Sequence, residues 1–306
     1  MHYTIVYREL SSLEKDLGFS ARALYAASYH RDSHYRRTSI PNGNGQYREL
    51  CLPDDFLKAI QRSIAEHLLV YEAISPYATA YRPGGSTLIN ARPHVGRPVL
   101  LKLDIRHFFD HIIYPQVKEK VFPEDRYSEA NRVLLTMLCV YPDSLPQGAP
   151  TSPMISNIIM KDFDNTVGSW CRRKNIVYTR YCDDMTFSGD FAPREVIDLV
   201  RGELRNMGFF LNDKKTVVLR DGQKKAVTGI VINEKPNTTA AYRRKLRQEL
   251  YFCRKYGVEE HIQRLGLDIP ASDYIRRLLG RINYVLQITP GNSEMQRYKA
   301  WLLDLR

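Results

Sequence analysis

Residues 176–188 read Ile-Val-Tyr-Thr-Arg-Tyr-Cys-Asp-Asp-Met-Thr-Phe-Ser, and the interpretation of the whole chain depends on this stretch. A β-branched and aromatic run leads into two adjacent carboxylates, Asp183 and Asp184, and a second apolar run follows them. This pattern predicts a β-hairpin with both Asp residues at its tip. Because adjacent carboxylates repel one another when both are ionised, the tip is either an ordinary solvated turn or part of a metal site.

A third carboxylate, Asp104, lies near the end of the apolar run Val-Leu-Leu-Lys-Leu-Asp-Ile at 99–105, which is typical of a buried strand. Burying a carboxylate is costly unless it is paired or bound to a metal. If this strand and the hairpin are neighbours, Asp104, Asp183 and Asp184 converge. A cluster of oxygen ligands favours Mg²⁺ over Zn²⁺. Two such ions can activate a 3′-hydroxyl and stabilise a leaving pyrophosphate.

The 306-residue chain has a formal charge of +11, which predicts an anionic partner. Residues 239–306 contribute much of this excess, with thirteen Lys or Arg against seven Asp or Glu. No apolar run approaches the ~18–20 residues of a membrane span, and the N-terminus lacks a signal-peptide pattern. We therefore expect a cytoplasmic protein that binds nucleic acid and no membrane. The five scattered cysteines fit neither a disulfide framework nor a zinc ribbon.

Hydrophobic periodicity and turn residues predict the remaining elements. An N-terminal helical segment should break near Gly18, a hairpin should span 36–52 with its turn at 41–45, and the turn-rich stretch 76–98 should be a loop. A second hairpin should span 216–232, with its turn at Asp221-Gly222. The predicted helices cover about 53–74, 114–121, 127–142, 153–173, 193–208, 239–256, 258–265, 271–287 and 292–305.

Four motifs, in this order, resemble those of reverse transcriptases. They are Leu-Lys-Leu-Asp-Ile-Arg-His-Phe-Phe at 101–109, Leu-Pro-Gln-Gly-Ala-Pro-Thr-Ser-Pro at 145–153, Tyr-Cys-Asp-Asp at 181–184 and Leu-Asn-Asp-Lys-Lys-Thr at 211–216. The resemblance implies RNA-templated DNA synthesis by an α+β right-hand polymerase. It also implies N-terminal helices and fingers at 1–98, a palm at 99–236 and an all-helical thumb at 237–306.

Two shorter segments narrow the resemblance to the reverse transcriptases of bacterial retrons. Asn-Ala-Arg-Pro-His at 90–94 is similar to the Asn-Ala-x-x-His signature of that family, and Val-Thr-Gly at 227–229 is similar to a second one. One alternative is a group II intron or diversity-generating reverse transcriptase. The others are a catalytically idle RNA-binding scaffold, and an RNA-dependent RNA polymerase, which Phe109 disfavours.

The resemblance assigns roles to residues of the four motifs. Asp104, Asp183 and Asp184 would hold two Mg²⁺ ions, with the carbonyl of Ile105 as a further ligand. Phe109 would exclude a 2′-hydroxyl and so select dNTP substrates. The residues implied to contact the nucleotide are Arg48, Ile105, His107, Phe108, Phe109, Gln147, Gly148 and Lys215. Cys182 departs from the family, which usually has Ala in this position of the catalytic box.

The resemblance also implies a cognate noncoding RNA, part of which is copied into DNA. Synthesis would begin at the 2′-hydroxyl of an internal guanosine, leave a branched RNA–DNA product (msDNA) and serve an antiphage unit with an effector protein. Such RNA is recognised by its shape, its 2′-hydroxyls and its splayed bases. The residues expected to bind it are Asn90, His94, Val227, Thr228, Gly229, Arg243, Arg244, Lys245, Arg247 and Arg254.

Overall fold

A computed structural model describes residues 6–41 and 47–305, apart from the side chain of Arg48. The helices of these residues are α1 (Leu10–Leu17), α2 (Ala21–Tyr29), α3 (Arg31–His34), α4 (Asp55–His67), α5 (Thr87–Ala91), α6 (Tyr114–Lys120), α7 (Glu129–Cys139), α8 (Ser152–Ile159), α9 (Lys161–Arg173), α10 (Pro193–Asn206), α11 (Ala240–Tyr256), α12 (Val258–Arg264), α13 (Ala271–Ile288) and α14 (Ser293–Asp304). The strands are β1 (Tyr35–Pro41), β2 (Tyr47–Pro53), β3 (Val99–Asp104), β4 (Val177–Tyr181), β5 (Asp184–Gly189), β6 (Val217–Leu219), β7 (Ala226–Val227) and β8 (Ile230–Val231). None of these helices is both long and apolar enough to cross a membrane.

Most of the predicted elements are confirmed. The N-terminal helical segment breaks at Gly18, whose φ of 72° is left-handed and whose N–H bonds to the carbonyl of Glu14. β1 and β2 form an antiparallel hairpin in which Tyr35 pairs with Pro53. The turn predicted between them falls almost entirely on residues 42–46, which lie outside the described part of the chain. The helix predicted over 153–173 is two helices, since it is interrupted at Met160.

The hairpin predicted over 216–232 is wrong. β6 lies beside β3, whereas β7 pairs with β8 through Val227 and Ile230. The turn of this small hairpin is Thr228-Gly229, and both residues have a positive φ, of 44° and 82°. Two successive positive φ values match a type I′ turn, whose twist suits a two-residue hairpin. The Asp-Gly pair at 221–222 therefore lies in a turn between β6 and β7, which do not pair with each other.

The stretch 76–98 is not wholly a loop, because it contains the short helix α5. Its N-cap is Ser86, whose hydroxyl accepts a hydrogen bond from the N–H of Ile89 at 3.1 Å. Ser is a favoured N-cap because its side chain satisfies one of the unpaired N–H groups at a helix start. The many Gly and Pro residues around α5 concealed this signal.

Two compact units divide the chain. Unit 1 comprises Met1–Gly85, Leu101–Phe187 and Phe191–Val218. Its sheet has the strand order β4-β5-β3-β6. Residues from α4, from the sheet and from the helices that follow it form one continuous buried core, which includes Leu57, Ile60, Leu101, Leu103, Ile155, Phe163, Met185, Phe187 and Val200.

Unit 2 comprises Ser86–Leu100, Ser188–Asp190 and Leu219–Arg306. It has two buried clusters. The larger joins the C-terminal helices and includes Leu246, Leu250, Ile275, Leu278, Ile282 and Leu302. The smaller joins α5, the β7–β8 hairpin and the end of α13, and includes Leu88, Val227, Ile230 and Ile288. The predicted boundaries at 98/99 and 236/237 remain a prediction.

Candidate active site

Asp104 is the most enclosed of the three candidate carboxylates. It is the last residue of β3 and only 5% exposed. One of its oxygens accepts a hydrogen bond from Lys215 Nζ at 2.6 Å, and the other accepts one from Asn212 Nδ2 at 3.1 Å. A positive charge and an amide thus compensate its burial, as a buried carboxylate requires.

The hairpin that carries Asp183 and Asp184 is formed by β4 and β5, and β5 lies next to β3. The prediction that the two strands are neighbours is therefore confirmed. The backbone carbonyl of Asp183 accepts a hydrogen bond from the N–H of Ile105 at 3.1 Å. This bond holds the turn of the hairpin against the end of β3, directly after Asp104.

The carboxylates influence one another electrostatically. The pKa of Asp184 is raised, first by burial and then by the charges of Asp183 and Asp104, which outweigh the opposing charges of Lys102 and Lys215. The same Asp104 contact raises the pKa of Lys215. The site therefore concentrates more negative charge than its own lysines neutralise.

A divalent cation fits this site by its donor chemistry. The three side chains offer only carboxylate oxygens, which Mg²⁺ prefers, and their mutual repulsion would be relieved by a cation. As the side chains stand, however, no three His, Cys, Asp or Glu among the described residues form a group that would enclose a metal ion. The ammonium of Lys215 occupies one oxygen of Asp104 instead.

Cys182, the residue that departs from the family pattern, is a buried structural thiol. Its pKa is raised to about 12, chiefly by burial and then by the adjacent Asp183. The hydroxyl of Tyr81 hydrogen-bonds to it. Since the thiolate is the reactive form of cysteine, this side chain is chemically inert at neutral pH.

A cavity of about 810 Å³ opens beside Asp104 within unit 1. Its walls include most of the residues that the motifs predicted to contact a nucleotide, namely Ile105, His107, Phe108, Phe109, Gln147 and Lys215. Asp183 lines it as well, whereas Asp184 is not among its lining residues. The β1–β2 hairpin also contributes to the wall, through Arg37, Tyr47, Glu49 and Cys51.

Phe109 is 8% exposed at the cavity wall and packs edge-on against Phe108, with ring centroids 5.3 Å apart. Phe108 also contacts Phe209 and is the more deeply buried of the two rings. Phe109 thus lines the cavity with little exposed surface, and its ring is held by packing against Phe108. The side chain of Arg48 lies outside the described residues, although its backbone pairs with Ile40 in the β1–β2 hairpin.

Gly148 provides space rather than a functional group. Its φ is 128°. A Cβ atom in this position would lie 2.7 Å from Leu52 Cδ2 and 3.0 Å from the carbonyl oxygen of Cys51. Next to it, the carbonyl of Gln147 accepts a hydrogen bond from the N–H of Cys51 at 3.0 Å. Glycine is therefore required for the close approach of this loop to β2.

Sequence reasoning missed several residues of the site. Asn212 bonds to Asp104, and the signal for it was its place in the lysine motif. Arg37 lines the cavity from β1, but no motif marks it. Arg180 on β4 of the hairpin and Asp164 on α9 form a fully buried ion pair at 2.6 Å. A lone Asp on a helix carries no pattern that would reveal this contact.

The two signature segments meet each other in unit 2. Asn90 Nδ2 donates to Thr228 Oγ1 at 3.4 Å, and Thr228 Oγ1 donates to the carbonyl of Thr87 at 3.1 Å. His94 is 0% exposed, and its Nδ1 lies 2.7 Å from Ser188 Oγ. Asn90 and Val227 are also fully buried. This burial does not support direct RNA contact by these three side chains.

The predicted basic residues of α11 differ in their availability. Arg243 hydrogen-bonds to Asn237 and Thr238, and Arg247 Nε lies 2.7 Å from Glu294 Oε2. The remaining three, Arg244, Lys245 and Arg254, are exposed. Within the described part of the chain, none of these three side chains forms an ion pair, so their positive charges are accessible.

Comparison with known proteins agrees with the motifs. The model of the family "Reverse transcriptase (RNA-dependent DNA polymerase)" matches residues 40–267. Retron Mx65 reverse transcriptase from Myxococcus xanthus is 32% identical and covers 94% of this chain and 70% of its own length. Retron Ec83 reverse transcriptase from Escherichia coli is also 32% identical and covers 86% and 85%, respectively. Among solved structures, a telomerase from Candida albicans with a fragment of telomeric RNA gives a TM-score of 0.48 at 11% identity, covering 88% of this chain and 60% of its own.

The sequence relatives, rather than the structural likeness, decide the assignment. They span most of the chain at 32% identity, and they resolve the choice between retron enzymes and other reverse transcriptases that the motifs left open. Reverse transcriptases use divalent metal ions, which agrees with the donor chemistry of the three carboxylates. The chain therefore belongs to the retron reverse transcriptases of bacteria, and it is an RNA-directed DNA polymerase with the right-hand polymerase fold.

Proposed function

We propose that this enzyme copies part of a structured noncoding RNA into DNA that stays joined to the RNA. Synthesis begins at the 2′-hydroxyl of an internal guanosine, the product is msDNA, and the system defends its host against phage together with an effector protein. The observation that carries this proposal is the similarity to retron reverse transcriptases over 94% and 86% of the chain.

For catalysis, we propose that Asp104, Asp183 and Asp184, with the carbonyl of Ile105, hold two Mg²⁺ ions. When bound, such ions supply Lewis-acid activation of a hydroxyl and charge stabilisation at a leaving pyrophosphate. The side chain of Lys215, which is 61% exposed, is free to turn away from Asp104. It would then place its positive charge near the departing pyrophosphate.

The cavity in unit 1 is the proposed dNTP site. Gln147 and the backbone after Asp104, at His107 and Phe108, would contact the nucleotide, and Arg48 would add a positive charge. The ring of Phe109 would lie beneath the sugar, where it leaves no room for a 2′-hydroxyl. Gly148 acts here by allowing the loop to approach β2.

The RNA partner is proposed to contact unit 2 through the exposed basic side chains of α11. Phosphate contacts by Arg244, Lys245 and Arg254 would supply salt-dependent affinity without sequence preference. The Thr228-Gly229 turn is exposed enough at Gly229 to touch RNA through its backbone. Asn90, His94 and Val227 would support that turn from within the core.

The decisive experiment expresses the enzyme in bacteria together with the DNA that flanks its gene and sequences the nucleic acid that co-purifies. We expect DNA whose 5′ end is released only by an enzyme that cleaves 2′–5′ branches. The Asp183→Asn variant is the matched control and should yield RNA alone. DNA with a free 5′ end, made by an enzyme that still extends a primer on RNA, would refute retron priming and leave the polymerase assignment intact.

A further inference from the structure

The hairpin that carries Asp183 and Asp184, in unit 1, contains a fully buried arginine. Arg180 belongs to β4, and both it and its partner Asp164 on α9 are 0% exposed. Arg180 Nε donates to Asp164 Oδ1 at 2.8 Å, and Nη2 donates to Asp164 Oδ2 at 2.6 Å. Nη2 also reaches Asn157 Oδ1 at 3.2 Å. One edge of the guanidinium is thus anchored to the helices α8 and α9.

The other edge of the guanidinium reaches the turn of the hairpin. Arg180 Nη1 donates to the backbone carbonyl of Cys182 at 2.9 Å. Cys182 has a φ of 62°, a left-handed conformation that is unfavourable for a residue with a side chain. The next residue is Asp183, whose own carbonyl is bonded to Ile105 N–H. The arginine therefore holds the strained residue that immediately precedes the carboxylate pair.

The backbone of Arg180 is held equally firmly. Its N–H donates to the carbonyl of Tyr77 at 2.8 Å, and its carbonyl accepts from the N–H of Thr79 at 2.8 Å. The position of the Cα atom of Arg180 is therefore fixed. The planar guanidinium can then bond to Asp164 and to the Cys182 carbonyl at the same time, which a lysine ammonium cannot do. A lysine would keep the charge but lose this geometry.

Stability alone does not explain this arrangement. Replacing a buried ion pair by apolar residues is often neutral or stabilising, so such pairs are weak evidence for a role in stability. Here the pair is coupled to one particular carbonyl in a strained turn. We propose that Arg180, anchored by Asp164, is a positioning residue that sets the conformation of the turn 181–184 and thereby the placement of Asp183 and Asp184. This inference rests on the catalytic role proposed for those two residues.

The first test compares Arg180→Lys with Arg132→Lys. Arg132 is a suitable control because it is also a buried arginine of unit 1 that bonds a carboxylate, Glu129, and a backbone carbonyl, that of Phe122. A small misplacement of catalytic groups can reduce a rate by about 10²-fold. We therefore expect Arg180→Lys to lower kcat about 10²-fold with little change in the KM for dNTP. We also expect weaker Mn²⁺ binding by the protein alone, followed by electron paramagnetic resonance.

Arg132→Lys should keep wild-type kcat and Mn²⁺ affinity, even if its melting temperature falls. Equal losses of kcat and Mn²⁺ affinity in the two variants would reduce Arg180 to a structural residue and overturn the proposal. If Arg180→Lys does not fold, Asn157→Ser serves instead, because it removes one acceptor of the guanidinium. It should lower kcat and Mn²⁺ affinity in the same direction but by a smaller factor. Wild-type kcat and Mn²⁺ affinity in Asn157→Ser would then refute it.

The second test asks whether glycine rescues the defect. Glycine adopts a positive φ without the usual penalty, whereas alanine does not. In the Arg180→Lys background, Cys182→Gly should recover kcat by about tenfold, which is ~1.4 kcal/mol of barrier, while Cys182→Ala should recover nothing. Recovery by neither, or by both alike, would contradict the proposal. An inactive Asp183→Asn beside a fully active Arg180→Lys would refute this inference alone, whereas an active Asp183→Asn would refute the catalytic assignment itself.

Discussion

Two groups of motif residues, both recognised from the sequence, have opposite surroundings. The cavity group, which consists of Asp104, Phe109, Gln147, Asp183 and Lys215, lines the large cavity of unit 1. The signature group, which consists of Asn90, His94, Val227, Thr228 and Gly229, lies in unit 2. Asn90 bonds to Thr228, and Asn90, His94 and Val227 are fully buried.

The charges of the two groups differ in the same way. In the cavity region, carboxylates are kept close together, and the pKa of Asp184 is raised first by burial and then by the charges of Asp183 and Asp104. In the signature group, His94 is kept neutral, because burial and the charge of Arg97 lower its pKa to about 3. An arrangement that concentrates charge is suited to binding a ligand, whereas one that excludes charge is suited to packing. The comparison shows that a recognisable motif can mark either kind of role.

The largest expected effect concerns the carboxylates of the cavity group. Asp183→Asn should reduce primer extension on an RNA template by at least ~10³-fold, because transition-state charge loses its stabilisation. Its melting temperature should stay the same or rise, since a repulsive charge beside Asp184 is removed. The control is Asp198→Asn, which alters an exposed carboxylate on α10. Substantial primer extension by Asp183→Asn would mean that this carboxylate is not catalytic and that the cavity group, like the signature group, has a structural role.

Phe109 should have the next largest effect, on selectivity rather than on rate. Phe109→Val should weaken the discrimination between dNTP and rNTP by about 10²-fold, because a smaller side chain leaves space for a hydroxyl. Competition between matched dNTP and rNTP in single-nucleotide incorporation measures this ratio. Phe108→Val is the matched control, since Phe108 packs against Phe209 in the core. If both variants change the ratio alike, the selectivity arises from general loosening of the core.

Gly148 tests whether the cavity wall also depends on tight packing. Gly148→Ala should lower the free energy of unfolding by about 1–3 kcal/mol, since the new methyl would collide with Leu52 and the backbone would be strained at its φ of 128°. Gly202→Ala, in the middle of α10 with nothing within 4 Å of the added Cβ, should raise it by about 0.5–1 kcal/mol. Urea unfolding of the two variants checks both signs. A stable Gly148→Ala would mean that β2 can move away from the loop.

In the signature group, we expect an effect on the dependence of stability on pH rather than on activity. The pKa of His94 is about 3 in the folded protein and about 6.5 in the unfolded chain. Between these values the unfolded chain binds more protons, so the free energy of unfolding falls as the pH falls, by up to about 1.4 kcal/mol per pH unit. Lowering the pH from 7 to 5 should therefore cost about 2 kcal/mol through this group.

His94→Asn removes the titrating group and should lose that part of the pH dependence. Urea midpoints of wild type and variant at pH 7 and pH 5 provide the measurement. An identical decrease in both proteins would show that other groups dominate acid destabilisation. Primer extension at pH 7 distinguishes the two groups further, since His94→Asn should retain far more activity than Asp183→Asn.

Much of the fold could be predicted from local patterns. The apolar run before Asp104 has the pattern of a buried strand, and the stretch around the Asp pair has that of a hairpin; both are present as β3 and β4–β5. The hairpin predicted over 216–232 failed because Asp-Gly at 221–222 is a stronger turn signal than Thr228-Gly229. The partner of β6 is β3, more than 100 residues earlier in the chain, and no local pattern reveals such a pairing.

The residues of the candidate site could be predicted where they belong to a motif whose side chains have the required chemistry. Asp104, Phe109, Gln147 and Lys215 were expected in one place, and they line one cavity. Asn212 and Arg37 were not expected, since their contacts depend on how the strands are placed. Lys215, which the resemblance implied to contact the nucleotide, pairs with Asp104 through its ammonium. The burial of Asn90 and His94 was not foreseen, because short polar signatures look alike in a core and on a surface.

The sequence by itself determined the family, the enzymatic activity and the elements that carry the three carboxylates, because these depend on residue types in a fixed order and on local periodicity. Only the tertiary structure decided which motif residues face a cavity and which are packed in a core. It also decided that Lys215 pairs with Asp104, and that the buried Arg180 donates a hydrogen bond to the carbonyl of the strained Cys182. Lys215 and Asp104 are distant along the chain, and Arg180 is held towards the nearby Cys182 by Asp164 on another element, so this geometry arises only when the strands and helices pack.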